Sequence, residues 1–352
     1  MSLAQVIAER IAQDGPITVA DFMALCLQHP EYGYYITRDP LGADFITAPE
    51  ISQMFGELIG LSLAQAWLDQ GAPSRFTLAE LGPGRGTLMA DMLRAAERVP
   101  GFIEAADVVL LETSPALRQV QKARLAPVMP KWIDRADALP DQPLFVVANE
   151  FFDALPIRQF QRQGETLWSE RRIGLQGDNL QIGLAGAAPV EALAHRLEDT
   201  REGDLVEICP SAPAVLAQVS ARVAEFRGAA LIIDYGDWRS LGDTLQALRR
   251  GKSVEVLSHL GKADLTAHVD FEALAAAASP NVHSKLTPQG VFLERLGITA
   301  RAERLAKNLS GSALEAHIAA HRRLTSPLEM GNLFKVLGIV PRGALPLAGL
   351  EL

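Results

Sequence analysis

The chain has 352 residues, a formal net charge of −9 and 21% charged residues. An acidic surface repels phosphate backbones, so broad, sequence-independent binding of nucleic acid is not expected. The length suffices to bury a core without a metal or disulfide staple. The two cysteines, Cys26 and Cys209, show no CxxC or Cys/His ligand spacing; no metal site and a reducing compartment follow. The N-terminus reads as an amphipathic helix rather than a secretory or transit peptide. No apolar run approaches the roughly 20 residues that cross a bilayer, so a cytoplasmic protein without membrane insertion is expected. Arg249, Arg250 and Lys252, and again Arg322 and Arg323, read as solvated basic faces.

In chain order, residues 1–74 are mainly helical and are interrupted by the aromatic loop His29-Pro30-Glu31-Tyr32-Gly33-Tyr34-Tyr35. Met54, Phe55, Leu58, Leu61 and Leu63 recur at helical spacing. From Arg75 short apolar runs alternate with helical patterns. Strands are expected over 76–81, 107–111, near Trp132 and Ile133, and over 144–148, with helices over 87–98 and 114–125. This alternation of near-continuous apolar strands with helices marks a parallel sheet covered on both faces. Residues 157–210 change to alternating strands with glycine turns at Gly164 and Gly177, the pattern of antiparallel pairing. A helix over about 214–226 and a parallel-type strand at 229–234 follow. Helices near 271–278 and 299–308 and strands near 282–286 and 333–339 complete the reading. The expected organisation is a helical N-terminal lid region (1–74), a Rossmann-like α/β core (75–156 and 229–352), and an insertion of antiparallel strands plus a helix (157–228).

The most informative motif is Glu80-Leu81-Gly82-Pro83-Gly84-Arg85-Gly86, between the first strand and the helix opening at Thr87. Glycines at a strand-to-helix turn let the backbone lie against a ligand. The dinucleotide spacing G-x-G-x-x-G fails, because position 87 is Thr and the third glycine is Gly86. Glu80 would also repel a pyrophosphate, whereas its carboxylate suits the ammonium of S-adenosylmethionine. Gly82, Gly84 and Gly86 are therefore donor-site candidates, and S-adenosyl-L-homocysteine would be the product. Glu112, ending the second strand, can accept hydrogen bonds from both ribose hydroxyls; its bland alternative is a solvated strand end. Asp137 is a candidate for the adenine amino group, with the backbone of Ala136 or Ala138 as the alternative.

The fourth strand runs into Asn149-Glu150-Phe151-Phe152-Asp153-Ala154-Leu155-Pro156. In open α/β sheets chemistry collects beyond the carboxyl ends of central strands. Methyl transfer requires alignment of a nucleophile and management of its proton. Glu150 and Asp153 have the charge to bracket a nitrogen nucleophile, and Asn149 has an amide to orient it. Phe151 and Phe152 would exclude water or pack on the substrate. Alternatively, Glu150 or Asp153 caps a helix starting after Leu155.

The chain resembles the MidA family, on strings that run nearly end to end: GPITVADFM (15–23), HPEYGYY (29–35), DFITAPEISQMFGEL (44–58), ELGPGRGTLMADMLR (80–94), ANEFFDALPIRQF (148–160), IIDYG (232–236), DLTAHVDF (264–271), QGVFLERLGI (289–298) and MGNLFKVL (330–337). The mitochondrial relative in that family is a protein arginine methyltransferase that assists assembly of respiratory complex I. The resemblance implies a class I methyltransferase fold, S-adenosyl-L-methionine as donor, and a guanidinium acceptor on a complex I subunit. For the relative, the acceptor is the quinone-proximal component, homologous to the D-type quinone-module subunit of bacterial NADH dehydrogenase, and the product is symmetric dimethylarginine.

The other strings also read physically. Thr47, with Glu50 three residues later, has capping-box spacing; alternatively Thr47, Glu50 and Ser52 lie over the donor as part of the lid. Tyr32, Tyr34 and Tyr35 are candidates to line the acceptor channel, with packing as the alternative. Asp234 and Tyr235 end the next parallel strand beside the site, and His268 is the histidine nearest to a catalytic position. An imidazole is a poor base for a guanidinium whose ordinary pKa exceeds 12, so carboxylates make the better chemical case. Two alternatives from other classes stand beside the methyltransferase: an assembly chaperone retaining the fold without activity, and an NAD-dependent oxidoreductase.

Overall fold

In the computed structural model, residues 2–37 and 47–352 are described; the first three residues of the 44–58 string, 44–46, lie outside them. The chain divides into two compact units. The larger contains Ile46–Phe152, Pro213–Gly236 and Phe271–Leu352; the smaller contains Met1–Phe45, Asp153–Ala212 and Asp237–Asp270.

The larger unit is built on one sheet. Its principal strands are β1 (Phe76–Leu81), β2 (Ala106–Leu111), β3 (Lys131–Ile133), β4 (Leu144–Asn149), β5 (Gly228–Asp237) and β6 (Phe334–Val340). Their spatial order is β3-β2-β1-β4-β5-β6, parallel up to β5, with β6 antiparallel to β5. Val282–His283 pairs along the far edge of β6. Every residue of β1 and β4 is buried, as expected of strands covered on both faces. This is the mostly parallel α/β architecture of class I methyltransferases. The order reverses between β1 and β4, which makes their carboxyl ends the topological switch point.

Helix α1 (Gln53–Asp69) begins at Ser52, whose hydroxyl accepts from the Met54 backbone N–H at 3.2 Å. It is buried along most of its length and packs on α2 (Thr87–Ala96), the helix that follows the glycine turn. Contact is close because α1 carries glycines there: a Cβ on Gly60 would stand 2.6 Å from Met92 Cα, and one on Gly56 2.6 Å from Asp91 Cβ. Beneath the helices, Trp67, Phe76, Phe102 and Phe145 form an aromatic cluster with centroid separations of 4.9–5.9 Å. Helix α1 thus belongs with the sheet, although its sequence position falls within 1–74. A helix apolar on nearly all sides needs the cover that a sheet provides.

The smaller unit is antiparallel. Leu167–Gln176 pairs with Arg158–Gln163, Asn179–Leu184 and the short N-terminal strand Ile17–Thr18, and Arg158–Gln163 pairs onward with Leu205–Ile208. The strands expected at 157–210 are therefore present, and they pair with a segment from the chain's beginning. The helix Ser211–Phe226 lies almost wholly in the larger unit. A second antiparallel sheet joins Gln246–Arg249 to Lys252–Val254 and Asp264–Thr266. Arg250 and Gly251 turn that hairpin with φ of 53° and 70°; Arg250 and Lys252 are exposed there, while Arg249 is half-buried and reaches His259 at 3.2 Å. Helix Gly311–Thr325 was not anticipated from the sequence; it ends in Arg322 and Arg323.

Alanine favours a helix interior over glycine by about 1 kcal/mol, yet Gly60→Ala should destabilise the protein by about 1–3 kcal/mol, the scale of overpacking. Gly183→Ala, at an open position, is the control. Thermal melts of both variants check this, and an unchanged or raised Tm for Gly60→Ala would contradict the packing account.

Candidate active site

The glycine turn leaves β1 with Gly82, Gly84 and Gly86 at φ of 68°, 52° and 74°. Side chains rarely adopt that left-handed region. Gly82 also lies under an aromatic ring, since a Cβ there would meet Phe151 Cδ2 at 3.0 Å. Gly86 closes the turn on the Pro83 carbonyl at 2.7 Å and becomes the N-cap of α2.

Glu80 is 3% exposed. The backbone N–H of Met89 donates to its carboxylate, while Oε2 is buried with no hydrogen-bond partner. Burial, with a smaller contribution from the Glu112 charge, pushes its pKa up to about 8. At the end of the neighbouring strand, the buried Oδ1 of Asn149 also has no donor. An orphaned buried acceptor is costly, and two of them at the ends of adjacent strands suit a cationic, donor-bearing ligand. The residues therefore fit the ammonium-bearing end of S-adenosyl-L-methionine.

Glu112 is buried rather than a solvated strand end. The Ser114 backbone N–H donates to its Oε1 at 2.8 Å, and Gln121 Nε2 donates to its Oε2 at 3.1 Å. Burial raises its pKa, opposed by those donors and by Arg118. Gln121, on α3 (Pro115–Arg124), is wholly buried and also reaches the Gly84 carbonyl. The sequence carried no signal for it beyond a polar residue on the buried face of an amphipathic helix. Asp137 lies in a 3-10 turn (Ala136–Ala138) with an exposed carboxylate paired to Arg135 at 2.7 Å; that side-chain hydrogen bond holds its pKa low.

Beyond β4, Glu150 has φ of 52°, a left-handed conformation in a residue that is not glycine. Such strain concentrates at functional sites. Its N–H donates to the Ile233 carbonyl, and its Oε1 accepts from Asn149 Nδ2 at 3.2 Å and from the Ala48 backbone N–H at 3.3 Å. Ala48 opens a short helix, Ala48–Ile51, whose Glu50 accepts from Thr87 Oγ1, the first residue of α2. The capping-box expectation fails: Thr47 is the N-cap but makes no side-chain cap bond, since the Glu50 N–H goes to the Thr47 carbonyl and the Glu50 carboxylate to Thr87. No helix starts after Leu155, as the capping alternative required, and the chain runs through a turn to strand Arg158–Gln163. Capping of that helix by Glu150 or Asp153 is thereby overturned.

Asp234 is fully buried; its two carboxylate oxygens accept from the Phe152 and Tyr235 backbone N–H groups, each at 3.0 Å. It pins the chain at the end of β4. Tyr235 is buried in the core with its ring edge-on to Phe334 at 5.4 Å.

The remaining candidates belong to the smaller unit. Asp153 is buried there, and Tyr35 donates to Asp264 Oδ1 at 2.7 Å. Burial, then the Asp264 and Asp153 charges, raises the Tyr35 pKa well above the usual tyrosine value. Asp264 was not singled out from the sequence. Tyr34 is fully buried, and Tyr32 stacks on His29 at 5.0 Å. The His268 backbone N–H donates to Thr244 Oγ1 at 2.8 Å. Among the described residues no His, Cys, Asp and Glu cluster has a metal-binding arrangement, and no helix is long and apolar enough to cross a membrane.

A parallel sheet with this order, a glycine turn at its switch point and a buried acid before it mark the class of α/β proteins that bind a nucleoside ligand there. The family model described as "Putative S-adenosyl-L-methionine-dependent methyltransferase" matches residues 58–289, and the chain belongs to that family. Among curated relatives, it is 36% identical to human protein arginine methyltransferase NDUFAF7, mitochondrial, over 96% of this chain and 82% of the relative. It is 35% identical to the Bos taurus protein of the same name, with the same two coverages. The crystal structure of a "likely methyl transferase" from Burkholderia thailandensis bound to S-adenosyl-homocysteine is 29% identical, with a TM-score of 0.81, covering 97% of this chain and 93% of that one. The resemblance expected from the sequence strings is borne out, and the oxidoreductase alternative falls.

Glu80 titrates at an ordinary 4.5 when unfolded and at about 8 in the ligand-free fold. A raised folded value means that this contribution to stability is complete below pH 4.5 and is lost as pH rises through about 8. Ligand-free Glu80→Gln should thus melt like the parent at pH 5 and above it at pH 8. The expected gain is on the order of 10 °C, from about 4 kcal/mol at roughly 2–4 °C per kcal/mol. Scanning calorimetry at the two pH values measures it, and an equal gain at both would contradict the assignment.

Proposed function

We propose that this protein transfers a methyl group from S-adenosyl-L-methionine to a guanidinium nitrogen of arginine in a protein substrate. We take that substrate to be a component of complex I, the D-type quinone-module subunit of NADH dehydrogenase, with symmetric dimethylarginine as product and the cytoplasm as compartment. The observation that carries the donor half is the buried Glu80 carboxylate, short of one hydrogen-bond donor, beneath a left-handed glycine turn. The acceptor class rests on the relatives, named protein arginine methyltransferases and, in their case, mitochondrial.

Glu80 and Asn149 take the ammonium end, the backbone of Gly82, Gly84 and Gly86 lies along the methionine chain, and Glu112 accepts from the ribose hydroxyls. The backbone of the 136–138 turn, rather than the Asp137 carboxylate held by Arg135, meets the adenine edge. Thr47 and Glu50 close over the turn through the short helix docked on Thr87. When bound, the donor supplies an electrophilic methyl carbon on a sulfonium. Glu150, displayed at the strained end of β4, orients the guanidinium and offsets its lost solvation. The new C–N bond forms as the C–S bond breaks, and the nitrogen's proton passes to a carboxylate or to water. Asn149 holds Glu150 in place through the 3.2 Å bond.

Glu150→Gln keeps size and hydrogen bonding but removes the charge. Turnover should fall about a hundredfold or more, near 3 kcal/mol, while affinity for S-adenosyl-L-homocysteine stays within about twofold. A lysine in place of the substrate arginine should not be methylated, because an ammonium lacks the planar fork. Full activity of Glu150→Gln, or equal modification of lysine, would remove the guanidinium assignment. Mass spectrometry of complex I from cells with and without the gene tests the substrate: the methylated arginine should disappear with the gene.

A further inference from the structure

We infer that Gln121 is the positioning residue of the donor site: its carboxamide ties the glycine turn to Glu112 and so sets the spacing between the methionine and ribose halves. The inference rests on the donor reading above. One nitrogen serves both halves, since Nε2 lies 2.6 Å from the Gly84 carbonyl and 3.1 Å from Glu112 Oε2. The amide orientation is set from a third strand end, because Trp132 Nε1 donates to Oε1 at 2.7 Å. That bond identifies Oε1 as the acceptor and leaves both Nε2 hydrogens for Gly84 and Glu112. The side chain is wholly buried, and a Cβ on Gly86 would touch its Cγ at 3.5 Å. Its position therefore follows from packing as well as from hydrogen bonds.

The consequence for Glu112 is specific. Ser114 holds one carboxylate oxygen and Gln121 the other, so the group cannot rotate away from a ribose. The Thr113 backbone N–H also donates to this carboxylate, whose four lone-pair sites still leave room for a ribose hydroxyl. Around this pair the charged groups are Glu80 on β1 and Arg118 on α3, the latter bonded to the Glu112 carbonyl and paired with Asp134 at 2.6 Å. None of these can take the place of the Gln121 amide, because Arg118 is already spent on a carbonyl and on Asp134.

Two variants test it in the full chain, with S-adenosyl-L-homocysteine as the calorimetric probe. Gln121→Met keeps the volume and removes the bonds, and should weaken binding about tenfold or more. At saturating donor, kcat should stay within about twofold, a KM effect without a kcat effect. Gln121→Glu sets a second carboxylate against Glu112, and two such groups at that distance share one proton that is lost only well above the usual carboxylate range. One retained proton restores the bond to Glu112, though not that to Gly84, at pH 6, and its loss by pH 8 leaves two facing carboxylates. The variant's affinity relative to the parent should therefore fall about tenfold over that range. The parent should move the other way, because Glu80 must ionise to meet the ammonium. A folded Gln121→Met with parental affinity overturns the proposal. Should that variant fail to fold, a Gln121→Glu affinity that keeps a constant ratio to the parent from pH 6 to pH 8 overturns it. Loss of probe binding by the parent protein would instead remove the donor reading itself.

Discussion

Strand β1 lies between β2 and β4 with Leu81 facing Leu111 on one side and Ala148 on the other. Strands buried on both faces must satisfy every backbone group along their ladders, so their ends come into line. The ladder continues one residue past the strands. Gly82 N–H reaches the Leu111 carbonyl, Glu112 N–H the Ile133 carbonyl, and Glu150 N–H the Ile233 carbonyl. Three separate chain exits are pinned at one level in this way, and Glu80, Glu112, Asn149 and Glu150 stand at or beside them.

This arrangement explains why the site holds acids where few would be tolerated. Glu80, Glu112 and Asn149 are each under one tenth exposed, and burial works against the charge of both glutamates. The fold compensates each differently. Glu112 receives protein donors on both oxygens, whereas Glu80 retains one oxygen without a donor. The difference matches the proposed ligand: a cation for Glu80, and neutral hydroxyls for Glu112. The glycines of α1 serve the same end from a distance, since the close approach of α1 to α2 sets where the helix after the glycine turn begins.

The smaller unit has a different logic. Its antiparallel sheets bury polar side chains in pairs across strands and loops. Glu207, for example, accepts from Gln159 at 2.7 Å and from the Thr244 hydroxyl, and Thr244 in turn holds the His268 backbone. Tyr35, Asp153 and Asp264 form a second polar group there. His268, the most conspicuous histidine of the sequence strings, is thus held through its backbone by a network that the sequence did not reveal.

The parallel strands, the helix after the glycine turn and the acids at Glu80 and Glu112 were legible from the sequence alone. Apolar runs, glycine spacing and helical periodicity are local signals, and burial on both faces imposes them residue by residue. Several features were not legible, because each depends on which distant segments meet. Glu50 bonds Thr87 instead of capping its own helix, and Tyr235 is packed against Phe334. Ile17–Thr18 completes a sheet made mostly of residues beyond 157. Gln121 is the clearest case: along the chain it is only a polar residue on the buried face of an amphipathic helix, and its three partners lie in the glycine turn, just after β2 and on β3. Hydrogen bonds between a side chain and a remote backbone leave no periodicity in the sequence, so only the tertiary structure decided them.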